Sequence, residues 1–223
     1  MNHIIKTLVV KDLQLNMAPL ALYLLLGIFS LWLLTSSKLG VFNTGAVIMI
    51  SMIIITGIHM ITSTVTNERN DQVLPFIMSL PITFVQYTHA KIIANFGVFL
   101  VYWLIMLGGL MWVIFGLQQV PDGLAIFTLI LLLEMMVMFT LLLAVGLISE
   151  SQNITIVVMS VANIGLSLFM FWLSGFEAIN AFMQTEQVVW NSTALTFVGV
   201  ELVLIVALLI ITYVVQARKK NFL

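Results

Sequence analysis

Two glutamates, Glu134 and Glu201, stand in long stretches with no other charge, and His59 stands among hydroxyl residues in a third. Carboxyl and imidazole groups can pass protons on or hold a cation, so these three are the first candidates for chemistry. Their surroundings do not build a reaction centre. The chain has no cysteine, which removes thiolate nucleophiles, thiolate metal sites, iron–sulfur clusters and disulfides. His3 and His89 are far from His59 in sequence. The 14 methionines, with Met135, Met136 and Met138 close together, have no histidine or cysteine beside them and read as adaptable packing rather than copper ligands. No catalytic residue and no metal site is expected. A phosphate loop of the form G-x-x-x-x-G-K-[ST] is absent, and no basic patch interleaved with aromatics argues for nucleic acid.

The elements that must position such residues follow from composition. The chain of 223 residues is 62% hydrophobic and 8% charged, with mean hydropathy +1.19, whereas soluble domains carry about 25% charge. It reads as an all-α integral membrane protein forming a single transmembrane domain over 1–223. Six uncharged runs, at about 18–36, 43–66, 93–116, 124–148, 154–174 and 195–216, are each long enough to cross a bilayer. Before them, Ile4, Ile5, Leu8, Val9 and Leu13 recur at helical spacing opposite Lys6, Lys11 and Asp12, which predicts an amphipathic interfacial helix over 1–17. A half-polar segment ahead of a full-length span is unlike a removable signal peptide.

With six crossings, Lys6, Lys11, Arg69, Lys91, Arg218, Lys219 and Lys220 share one side and Lys38 lies on the other. That asymmetry predicts cytoplasmic termini and a cytoplasmic 67–92 loop, with 37–42, 117–123 and 175–194 outside. Arg218, Lys219 and Lys220 read as a stop and headgroup anchor.

Polar residues inside the spans form two patterns. Thr44, Ser51, His59, Thr62, Ser63 and Thr66 fall within a third of the second span's circumference. Asn153, Ser160, Ser167 and Ser174 repeat every seven residues in the fifth, with Asn163 alongside. Such groups either glue helices together or line a route through the membrane. His59 is either a hydrogen-bonded structural residue or a proton relay. No Lys or Arg falls inside the runs, so Glu134 and Glu201 lack a cationic partner. Each either keeps a proton, bonds a hydroxyl such as Thr140 or Thr196, or faces a wet cavity.

The 67–92 loop carries the clearest motif. Val73, Leu74, Ile77 and Leu80 give an apolar face to a short helix that starts among Asn67, Glu68, Arg69, Asn70 and Asp71 and stops at Pro81. Lipid or a partner protein must cover that face. With Glu68-Arg69 after the second span, Ser79-Leu80-Pro81-Ile82 at the helix end and Lys91 entering the third span, the chain resembles the membrane subunit of a type 2 ABC exporter. The corresponding family loop reads E-R-x-x-G-x-x-x-x-L-x-x-L-P-[IV]. Asn70, Asp71 and Gln72 stand here around the position where the family commonly has Gly, which blurs where the helix begins.

The resemblance implies a coupling helix between spans two and three that sits in a cleft of a nucleotide-binding ATPase subunit, touching it through Glu68, Arg69, Asp71, Val73, Leu74, Ile77, Leu80 and Pro81. It implies ATP and magnesium on that subunit and no cofactor in this chain. It also implies a second copy or paralogue of the permease, a bacterial plasma-membrane location, and a route between protomers to which Ser51, His59, Thr62, Asn153, Ser160, Asn163 and Ser167 are assigned. The polar segment 175–194, with Trp190 as a headgroup-level anchor, resembles the family's re-entrant outer gate, with Phe176, Glu177 and Phe182 at it; an ordinary interfacial loop is the other reading. The apolar walls suit a hydrophobic or amphipathic cargo, of which a membrane-active peptide is the first choice and a drug or lipid the next. The competing classes are an ion-gradient carrier working through His59, Glu134 and Glu201, and a non-transporting scaffold or immunity protein.

Overall fold

The computed structural model of the protein describes residues 3–70, 83–117, 120–149 and 151–218. These residues are helical apart from short turns and an irregular stretch over 181–191, and contain no strand. In chain order they form α1 (His3–Leu34), α2 (Leu39–Ile61), a π-helical turn (Thr62–Thr66), α3 (Asn67–Asn70), α4 (Phe84–Leu117), α5 (Leu124–Ser149), α6 (Gln152–Ser174), the single turn α7 (Glu177–Asn180) and α8 (Ser192–Ala217). Among the described residues six helices are long and apolar enough to cross a membrane, and the chain is an all-α membrane protein.

Helix α5 is the centre of the bundle. It is hydrophobic all round and buried along most of its length, as a helix surrounded by others must be. It packs on α2, α4, α6 and α8, while α1 packs chiefly on α2 and α4. Phe99 of α4 stacks on Phe139 of α5 with ring centroids 3.9 Å apart. An added Cβ at Gly57 of α2 would come within 2.8 Å of Phe139, so the absent side chain there lets α2 close over the stacked rings. By contrast α6 buries only Thr155, Ala162, Leu166 and Leu173 and turns most of its large apolar residues outward.

Two boundaries differ from the sequence expectation. Residues 3–17 are not a separate interfacial helix: they are the first half of α1, which runs unbroken through Pro19. Ile5, Leu8, Val9, Asp12 and Asn16 form one buried stripe, so that part of the face is covered by protein, while Ile4 and Leu13 are half-buried. The third span begins at Phe84 rather than about 93, and Lys91 lies within it. At 1.5 Å per residue, α1 and α4 are each about 50 Å long, well beyond the ~30 Å of bilayer hydrocarbon. Helices α2 and α3 join through the π turn into a third long rod over 39–70.

Candidate functional site

At the end of the bundle that bears the N terminus, three of these rods bring charge together. On α1, Asp12 lies seven residues after Ile5 and four after Leu8, which puts it on the buried stripe rather than opposite it, and only 1% of it is exposed. On α4, Lys91 shares its buried face with Tyr87, Ala94 and Asn95 and is wholly inaccessible. Glu68 on α3 is 7% exposed. The Lys91 ammonium sits 2.8 Å from Asp12 Oδ2 and 2.7 Å from Glu68 Oε2. Lys11, half-buried beside Asp12, completes the ring, donating to Glu68 Oε1 and lying 3.4 Å from Asp12 Oδ1. Tyr87 donates its hydroxyl to Glu68 Oε2 at 3.3 Å, and the Lys91 ammonium lies 5.4 Å from the centroid of the Tyr87 ring.

Two ammoniums and two carboxylates thus alternate, and the cluster is neutral as a whole. A buried charge is tolerable when its counter-charge and hydrogen bonds are supplied in place. Local geometry supplies them. The π turn carries one extra residue per turn relative to α-helix, which rotates α3 so that Glu68 points to the rods' interior. Thr64 in that turn donates to Met60 O at 2.7 Å and accepts from Asn95 Nδ2 at 2.9 Å. Asn95 also donates to Lys91 O at 2.9 Å, so the turn is tied to the stretch of α4 that carries the lysine. Asn16 Nδ2 donates to Asp12 O at 2.7 Å.

The candidate residues from the sequence are dispersed around this cluster. Glu68, expected on a docking surface, has its carboxylate inside the protein, because Lys91 and Lys11 both reach it. The expectation that no cation is embedded is overturned by Lys91, which serves Asp12 and Glu68 rather than Glu134 or Glu201. Asp71, Val73, Leu74, Ile77, Leu80 and Pro81, together with the Arg69 side chain, lie outside the described residues.

His59 is turned toward α1, with Nε2 3.0 Å from Asn16 Oδ1 and Nδ1 3.4 Å from the Tyr23 hydroxyl. It links α1 and α2 one layer above the ion cluster. Ser51 and Thr62 are half-buried. On α6 the expected seam faces away from the protein's own core: Asn153, Ser160, Asn163 and Ser167 are exposed. Three of them bond their own helix, Ser160 donating to Ile156 O at 3.0 Å, Asn163 to Met159 O at 3.1 Å and Ser167 to Asn163 O at 3.4 Å. The α2 stripe and the α6 seam do not meet across a channel within one chain. Asn163 alone of the route residues lines the small cavity, of about 30 Å³, where α2, α5 and α6 converge.

Between α5 and α8 lies the opposite electrostatic case. Glu201 is 3% exposed and neither carboxyl oxygen has a hydrogen-bond partner. Its Coulombic neighbour is Glu134, itself buried. The hydroxyls named from sequence do not serve them, since Thr140 donates to Met136 O and Thr196 to Ser192 O.

The segment after α6 folds back over the far ends of α5, α6 and α8. Ile179 of α7 is buried with Ile126, Ile130, Leu173 and Ala194. Phe176 packs edge-on against Trp172 at 4.7 Å and Phe197 at 5.4 Å, while Glu177 is exposed and Phe182 half-buried. Asn191 caps α8 by accepting from Ala194 N at 2.8 Å, and its amide also donates to Ala178 O. Gly123 N donates to Thr185 O at 2.9 Å, and an added Cβ at Gly123 would fall 1.8 Å from Phe182 O. Only glycine permits this approach of the 120–123 turn to the 175–194 segment.

Among the described residues no group of three His, Cys, Asp or Glu could hold a metal ion. Comparison with protein-family models, with characterised proteins and with solved structures finds no match.

Proposed function

We propose that the chain is the membrane subunit of a type 2 ABC exporter, working as a pair with a second copy or a paralogue and powered by two nucleotide-binding ATPase subunits. The observation that carries this reading is the ion cluster at the two ends of segment 71–82. That segment leaves the rod over 39–70 and enters α4, and Glu68 and Lys91 fasten both rods to Asp12 and Lys11 of α1. A displacement applied to 71–82 enters three long helices at once, whereas a floppy junction would absorb it. Glu68 belongs to this joint as an anchor. Docking falls to Arg69, Asp71, Val73, Leu74, Ile77, Leu80 and Pro81.

The outward polar seam of α6 supports a second copy, because exposed Ser and Asn in a membrane span pair across helix interfaces. The route then lies between protomers, both termini are cytoplasmic in a bacterial plasma membrane, and the 175–194 segment gates the outer end. The cargo is hydrophobic or amphipathic, with a membrane-active peptide preferred. Purification of the tagged chain from its own cells in mild detergent tests the reading. It predicts a co-purifying nucleotide-binding ATPase that is lost from the Leu74→Asp/Ile77→Asp variant. Flux of an amphipathic peptide by the chain alone, without nucleotide, contradicts it.

A gradient-driven carrier is favoured by one observation, the unpartnered Glu201 carboxyl beside Glu134. It predicts nucleotide-free flux that a pH gradient drives and Glu201→Gln abolishes.

A further inference from the structure

Between α1 and α4 runs an open groove of about 530 Å³, walled by apolar side chains and Tyr102 and lined by no charged residue. Val9, Leu13 and Leu24 form one wall, Val98, Val101 and Ile105 the other. Its concavity comes from Gly97, where an added Cβ would meet nothing within 4 Å. From Val9 to Leu24 the groove is about 22 Å long at 1.5 Å per residue, enough to take the hydrocarbon of one leaflet, about half of a ~30 Å core.

Charge enters at one end only. Lys6, expected from the sequence on the side opposite Val9 and Leu13, precedes them by three and seven residues and so stands on their face of α1, about one turn beyond the groove. It is exposed, and the described ion pairs do not include it. Lys11 and Lys91 are already engaged by Asp12 and Glu68. A trough of leaflet length, uncharged along its walls and ending, among the described residues, in one cation outside the ion pairs, matches an amphiphile with one anionic end.

We propose that this groove seats an acyl chain of an anionic phospholipid whose phosphate is held by Lys6. The site is independent of the exporter reading. Native mass spectrometry of the full chain, titrated with phosphatidylglycerol and with phosphatidylcholine, tests it. The wild-type chain retains one phosphatidylglycerol in preference to phosphatidylcholine. Gly97→Trp and Val101→Trp, which fill the groove from two positions, each lower phosphatidylglycerol occupancy at least tenfold. Gly199→Trp, at another glycine whose added Cβ meets nothing, leaves it unchanged. Lys6→Gln reduces the preference over phosphatidylcholine about fivefold, the scale of one lysine near an anionic headgroup. Unchanged occupancy in whichever groove variant folds, no headgroup preference in the wild type, or a dimer that the groove variants dissociate would each overturn the proposal.

Discussion

At the N-terminal end of the bundle two lysines face two carboxylates within hydrogen-bonding distance, whereas between α5 and α8 Glu134 and Glu201 are neighbours with, among the described residues, no cation and, for Glu201, no donor. Both places bury charge-bearing groups in a protein that is 62% hydrophobic. The first is satisfied and joins three helices through four ion pairs. The second is unsatisfied and costs free energy where it stands. The difference separates a mechanical joint, whose removal loosens the fold, from a group retained against stability.

The largest expected effect comes from breaking the joint. Lys91→Met leaves Asp12 and Glu68 buried with Lys11 alone, and unfolding in detergent should show a loss of about 3–5 kcal/mol, as for the removal of one partner from a buried ion pair. Adding Asp12→Asn restores the charge count, and this double variant should recover a large part of that loss, because Lys11 and Glu68 still pair. If the double variant is as unstable as Lys91→Met, packing rather than charge balance holds the cluster together.

At the acid pair the sign reverses. Glu201→Met removes a buried carboxyl that has no partner, so the thermal midpoint should hold or rise, with a gain on the order of 1–3 kcal/mol. A fall comparable to that of Lys91→Met would erase the contrast. The smallest effect belongs to the rim of the cluster. Tyr87→Phe withdraws one long hydrogen bond to Glu68 and should cost about 0.5–1 kcal/mol; a cost as large as that of Lys91→Met would place the tyrosine among the cluster's essential members.

Six spans were legible because an apolar run of some 20 residues has few other uses. The start of the third span was hidden by Lys91, a charge that ordinarily marks a membrane boundary and here lies inside the helix. Asp12 was legible in principle: its spacing from Ile5, Leu8 and Val9 puts it on the apolar face, and a lone carboxylate there asks for a buried cation. The amphipathic pattern of 3–17 fits lipid and protein equally, since both present hydrocarbon, so periodicity alone could not choose between them. The inward turn of Glu68 depends on the π turn at Thr62–Thr66, and the local sequence Thr-Ser-Thr-Val-Thr carries no distinctive signal for it. The seven-residue repeat of α6 was visible, but its outward direction follows from which helices surround α5, a property of the whole bundle.

Transport by vesicles containing the chain and its ATPase, supplied with Mg-ATP and a fluorescent amphipathic peptide, tests most directly whether the ion cluster carries work into the spans. The account predicts that Lys91→Met, held folded below its lowered melting temperature, still binds the ATPase and hydrolyses ATP but moves far less peptide per ATP than the wild type. Equal peptide moved per ATP by the two proteins would contradict it.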